Sequence, residues 1–275
     1  MLTLQSISYT HPDKDLLFSN ICLALNSKDK FALIGNNGTG KSTLLKIIAG
    51  DLNPSSGKII ADTTPYYVPQ IFGQFDHLTI AEALKIQDRL SALKQILSGN
   101  ATEHCFNTLN DDWTIEDRCM EALDFWQLDK LKLDQKLQTL SGGHKTKVFL
   151  AGISIHQPDL ILLDEPSNHL DLESRNLLYN FIRTTSATLL VVSHDRTLLN
   201  IPDKVGELSR TGITVYGGNY EFYVGQKEIQ LYALNQDLRS KEKALRTARE
   251  KEREAVTRQN KLDSRGKKKQ ESPVL

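Results

Sequence analysis

Gly35-Asn36-Asn37-Gly38-Thr39-Gly40-Lys41-Ser42 is the stretch on which the reading of this chain turns. It fits the spacing G-x-x-x-x-G-K-[ST] at every position. Glycines let the backbone close around an anion so that successive N–H groups point inward, and a helix that starts there adds the positive end of its dipole. The flanks supply that context. Lys30 to Ile34 is a short apolar run of strand length and Ser42 to Ala49 carries helical spacing, so the order is strand, glycine turn, helix. Lys41 is then expected to reach the β- and γ-phosphates of a nucleotide. The backbone from Gly35 through Asn36, Asn37, Gly38, Thr39 and Gly40 to Thr43 would cradle them, and the Ser42 hydroxyl would ligate Mg²⁺.

A magnesium ion needs more oxygen ligands than one serine, and hydrolysis needs a base. Leu160-Ile161-Leu162-Leu163-Asp164-Glu165 offers both at the end of an aliphatic run typical of a buried strand. Carboxylates in that position emerge at the carboxyl edge of a parallel sheet, beside the phosphate loop. Asp164 is expected to hold the metal directly or through its water, and Glu165 to orient or deprotonate the attacking water. Without the phosphate loop upstream, an Asp-Glu pair after a strand would be only a turn. A third element, Leu140-Ser141-Gly142-Gly143-His144, places Ser141 23 residues before Asp164. Serine and paired glycines at a helix start make a second anion nest.

In this order and spacing the three elements resemble the ATP-binding cassette superfamily, an α/β P-loop NTPase fold. The resemblance brings roles for further residues. Gln70, 29 residues after Lys41 in Tyr67-Val68-Pro69-Gln70, is similar to the Q-loop glutamine that contacts Mg²⁺ and the attacking water. Ser167-Asn168-His169-Leu170-Asp171 resembles the D-loop. His194, in Val191-Val192-Ser193-His194-Asp195, resembles the switch histidine at the γ-phosphate. Tyr9, 26 residues before Gly35, occupies the place of the aromatic that stacks on adenine. Read on their own, His194 also fits a core histidine and Tyr9 a buried strand residue. His144 stands where the signature usually has glutamine. Because the phosphate-facing groups are those of Ser141, Gly142 and Gly143, a tuned rather than abolished site is expected. The resemblance further implies that ATP is sandwiched between two cassettes, the phosphate loop of one facing the signature of the other. One cassette therefore needs a second copy, or the second half of a longer chain.

The rest of the sequence bounds the class. The 275 residues are 39% hydrophobic and 25% charged, with mean hydropathy −0.37, as in soluble globular proteins. No apolar run approaches the roughly 18 residues that span a bilayer, so no membrane insertion is expected. The stretch from Met1 to His11 lacks a basic segment followed by an apolar one, which points to the cytoplasm. Cys22, Cys105 and Cys119 form no C-x-x-C pair and are expected to be reduced structural thiols. The net charge of zero hides an asymmetry: residues 1–226 carry −6 and residues 227–275 carry +6. Clustered cations on an extended element suit nucleic acid or another polyanion; a solvated helix of mixed i,i+4 pairs has the same composition.

The spacing predicts strands over Leu2 to Tyr9 and Asn20 to Leu25, and a helical insertion over about 76–140 with Trp113 and Trp126 as packing anchors. The cassette is expected to span 1–224 and a basic helical arm 225–275. Few apolar residues follow Leu245, so fraying is expected from Lys251 onward. Tyr216-Gly217-Gly218-Asn219-Tyr220-Glu221-Phe222-Tyr223, the D-loop string and the basic arm together are similar to the first cassette of the ATP-binding cassette F family. That resemblance implies a soluble ATP hydrolase engaging the ribosome or RNA in translation. Two other readings stay open: the ATP-binding subunit of a membrane transporter, and a truncated module that binds ATP without turnover.

Overall fold

The computed structural model describes residues 1–270 except Lys14, with side chains described as far as Arg253. The chain divides into two compact units, Met1–Phe222 and the part from Tyr223 onward.

The first unit opens with strands β1 (Leu2–Thr10) and β2 (Leu16–Leu25), antiparallel to each other. Leu2, Leu4 and Ile7 of β1 are all buried, although strict alternation would turn residue 7 outward. A bulge at Ser6, with φ of 49°, inserts the extra residue that returns Ile7 to the core face. Strand β3 (Lys30–Ile34) runs into helix α1 (Lys41–Ala49), and β4 (Ser56–Ala61) pairs with β1 to complete a three-stranded antiparallel sheet, β2-β1-β4.

Strand β5 (Tyr66–Val68) precedes the helical insertion, whose helices are α2 (Ile80–Ala83), α3 (Gln87–Leu97), α4 (Glu103–Leu109) and α5 (Ile115–Phe125). Backbone bonds tie its two ends together: Ile80 N–H donates to Gln135 O and Leu137 N–H to Leu78 O, both at 2.9 Å. Thr79 and Glu82 cap α2 reciprocally. Trp126 is fully buried, as an anchor should be, whereas Trp113 is 47% exposed and sits edge-on to Phe106. Trp113 lies in the turn between α4 and α5. Cys105 and Cys119 are buried, but Cys22 is exposed on β2, where its Sγ accepts the Ser6 N–H and lies 3.9 Å from the Ser6 hydroxyl.

Helix α6 (Gly142–His156) leads to β6 (Leu160–Asp164), followed by α7 (Leu172–Thr184), β7 (Thr188–Val192), α8 (Arg196–Leu199), β8 (Lys204–Ser209) and β9 (Gly212–Tyr216). The larger sheet runs β5-β6-β7-β3-β8-β9, parallel except for β9. Every residue of β6 and β7 is buried, which explains why both read as unbroken aliphatic runs. This α/β arrangement sets the carboxyl ends of β5, β6, β7 and β3 in a row.

The last element among the described residues is α9 (Tyr220–Gln270), 51 residues long. Its backbone is helical past Lys251 to Gln270, and before Lys251 it carries i,i+4 pairs such as Asp237–Lys241 at 2.8 Å. Residues 271–275 lie outside the described residues. Leu231, Leu234, Leu238 and Leu245 are each at least half exposed. Among the described residues no helix is long and apolar enough to cross a membrane.

Candidate functional site

The glycine loop follows β3 and closes into α1. Gly40, the residue before α1, has φ of +93°, and a Cβ there would sit 2.7 Å from the Leu17 side chain and 2.8 Å from Phe18. Glycine is thus required both for the left-handed turn and for the close approach of β2. Lys41 is 8% exposed, and its Nζ donates to the carbonyls of Gly35 at 2.8 Å and Asn36 at 3.2 Å. Burial pulls its pKa down, with Glu165 and Asp164 opposing. A desolvated ammonium folded onto its own loop is a cation held ready for an anion.

Asp164 ends β6 and is 1% exposed. Ser42 Oγ donates to its Oδ1 at 3.0 Å, and Tyr67 Oη donates to its Oδ2 at 3.2 Å. Burial pushes the Asp164 carboxyl above its usual range against these two bonds, and burial together with the Asp164 charge keeps the Tyr67 phenol protonated. Glu165 takes a left-handed backbone, φ of +50°, its N–H bonded to Val192 O at 2.8 Å. A non-glycine residue held there costs energy, and such strain collects at functional sites. Here it turns the carboxylate toward His194, whose backbone N–H donates to Glu165 Oε2 at 3.2 Å and whose Nε2 lies 3.5 Å from Oε1. Burial raises the Glu165 pKa, with His194 opposing. His194 itself is 65% exposed, so it is not a core histidine.

A cleft of about 570 Å³ opens over these groups. Asn37, Gly38, Gly40, Lys41, Ser42, Thr43, Gln70, Glu165 and His194 line it, so most of the residues singled out in the sequence converge there. Tyr9 does not. It packs half-buried against the core and edge-on to His11, and it is His11, with Leu17, that lines the cleft. The reason is that Tyr9 still belongs to β1, paired to Phe18, while His11 lies past its end. Sequence carried no signal for His11, because the turn that carries it has no motif. Ser141, Gly142 and Gly143 do not line the cleft either. Ser141 caps α6, accepting the His144 N–H at 3.3 Å. A Cβ on Gly143 would lie 2.5 Å from the His169 carbonyl oxygen, so that glycine admits the D-loop backbone. Lys147, 6% exposed one turn further along α6, lies 3.3 Å from Gln127 Oε1 and 4.0 Å from Asp171 Oδ2, joining the insertion to the same loop.

The donors near Ser42 are a hydroxyl, the Asp164 carboxylate and the Gln70 carboxamide, an all-oxygen set that suits a hard divalent cation. Among the described residues no cluster of three or more His, Cys, Asp or Glu could hold a metal alone. A cation here must complete its shell with phosphate and water oxygens, as Mg²⁺ does with nucleotides.

A glycine cradle, a buried lysine and a paired Asp-Glu on a parallel sheet define a nucleotide-binding ATPase domain. The pattern of the ABC transporter family matches residues 18–168, over half of the chain, and the chain belongs to that family. It is 30% identical to ATP-binding protein Uup of Escherichia coli (strain K12), over 77% of this chain and 36% of that protein. It is also 30% identical to ABC transporter F family member 2 of Arabidopsis thaliana, over 89% of this chain and 34% of that protein. The chain therefore spans about a third of the length of these two relatives. The dimeric structure of MJ0796, a bacterial ABC transporter cassette, shares the fold with a TM-score of 0.62 at 20% identity, covering 79% of this chain and 98% of that one.

Proposed function

We propose that this cassette is a soluble, cytoplasmic F-type ATP hydrolase whose closing on ATP, paired with a second cassette, is coupled through its basic helix to the ribosome or RNA in translation. The observation that carries the hydrolase reading is the meeting of Lys41, Ser42, Gln70, Glu165 and His194 in one cleft above Asp164.

In this reading the loop N–H groups from Gly35 to Thr43 and the Lys41 ammonium bind the phosphates. Ser42, Asp164 and Gln70 hold Mg²⁺, which when bound neutralises charge on the β- and γ-phosphates. Glu165 accepts the proton of the water that attacks the γ-phosphorus, and the bond to the ADP oxygen breaks. His194 faces the γ-phosphate and, through its N–H, keeps the Glu165 carboxylate aimed at the water. His11 and Leu17 flank the base in place of Tyr9. Ser141, Gly142 and Gly143, which lie outside the cleft of their own cassette, meet the γ-phosphate held by the other. That separation supports the pairing with a second cassette.

The base contact has a direct check. His11→Ala is expected to weaken ATP binding about tenfold, the scale of one base–aromatic stack, while leaving tripolyphosphate binding unchanged. Tyr9→Ala is expected to weaken both mainly through stability. Calorimetric titration of the two ligands decides between them; equal loss of both in His11→Ala removes His11 from the base site.

The coupling is tested by sedimenting a Glu165→Gln form, which holds ATP, through sucrose with ribosomes. Pelleting in ATP but not in ADP supports the proposed target, and absence from the pellet in both refutes it.

A further inference from the structure

Asp164 is held at both oxygens, and the second holder, Tyr67, opens the segment that carries Gln70 without having been given a role in the site. Strand β5 lies beside β6 with Tyr67 in register with Leu162. Residues two apart on a strand share a face, so Asp164 lies on the side of Leu162. A tyrosine is long enough to reach across and along to it, and its hydroxyl ends 3.2 Å from Asp164 Oδ2. Ser42 holds Oδ1, the oxygen beside the phosphate loop. Three residues after Tyr67 the same segment delivers Gln70 to the cleft.

We propose that Tyr67 is a positioning residue for the divalent cation: its hydroxyl clamps Asp164 Oδ2, so that Oδ1 stays turned toward Ser42 and the metal, and the placement of Asp164 is tied to that of Gln70. The inference rests on the proposed Mg²⁺–ATP reading and adds to it a group that touches neither metal nor nucleotide. With the hydroxyl removed, a nearly inaccessible carboxylate oxygen has no donor, and the carboxylate rotates away from the geometry shared with Ser42. Binding of phosphates by Lys41 and the loop does not depend on that bond. The effect should therefore fall on the metal-dependent part of binding alone.

The experiment titrates a fluorescent ATP analogue into wild type, Tyr67→Phe, Asp164→Asn and the double variant, first in EDTA and then across Mg²⁺ concentrations, with Mn²⁺ binding followed by electron paramagnetic resonance. Tyr67→Phe should bind the analogue in EDTA within twofold of wild type. The divalent concentration for half-maximal enhancement should rise about tenfold, the size of one hydrogen bond to a charged group. In the Asp164→Asn background the same change should alter it less than twofold, because Tyr67 acts through that carboxylate. Tyr67→Met, which fills similar volume without a hydroxyl, gives the same result and keeps the test open if the phenylalanine variant does not fold. An unchanged metal dependence, or an equal tenfold loss in the Asp164→Asn background, overturns the proposal while leaving the nucleotide site intact. Wild type that binds no analogue even with Mg²⁺ overturns both this and the reading beneath it.

Discussion

Glu165→Gln is expected to slow ATP hydrolysis by about 10² to 10⁴-fold, the usual contribution of a positioned base, while ATP still binds. The amide keeps the shape and accepts the His194 N–H, but it cannot take a proton from water. Phosphate release under single turnover, set against nucleotide binding, measures the split; retained turnover would move the base elsewhere. The same change has a stability signature with a definite sign. Burial raises the folded-state pKa of Glu165 above its ordinary 4.5, so the folded protein holds that proton more tightly than the unfolded chain. The ionised form therefore costs stability, a cost that appears as pH rises above about 4.5 and grows until pH passes the raised folded-state value. Glutamine does not titrate. The nucleotide-free variant should melt above wild type at pH 7, and the difference should vanish near pH 4. Thermal unfolding across that range is the check, and identical midpoints at pH 7 would contradict it.

Lys41→Met is expected to weaken ATP binding about 10² to 10³-fold, comparable to losing one preorganised donor to a developing or fixed anion. Without nucleotide it should melt no lower than wild type. The sign follows from burial, which lowers the Lys41 pKa, so the charged ammonium is less stable in the folded protein than in water. Methionine fills the space, and the Gly35 and Asn36 carbonyls that lose a donor belong to a loop open to solvent. An element strained for function and relieved by its loss is a recurrent stability–activity trade. Paired calorimetry and binding measurements separate the outcomes; a lower melting point would mean that Lys41 serves the fold itself.

Gly35 through Ser42 needed no tertiary information, because its chemistry lies in consecutive backbone N–H groups and a following helix, both local consequences of glycine spacing. Asp164 and Glu165 were legible for a similar reason: a parallel strand buried on both faces must be aliphatic, and its first polar residues mark where it leaves the sheet. Tyr9 was different. Its distance from the phosphate loop recommended it, but whether a residue at the end of β1 faces core or cleft depends on a bulge at Ser6 and on a turn of no distinctive composition.

What the sequence alone determined is the short segments that meet at the cleft, since the spacing within each dictates its own backbone. Strand order was decided only in three dimensions. That β5 lies next to β6 is what brings Tyr67 to Asp164, that β7 lies beside β6 is what brings His194 to Glu165, and the start of α6 is what sends Ser141 and Gly143 away from their own cleft. Pairing of strands distant in the chain is chosen by how whole faces pack together, and no single stretch of residues carries that information.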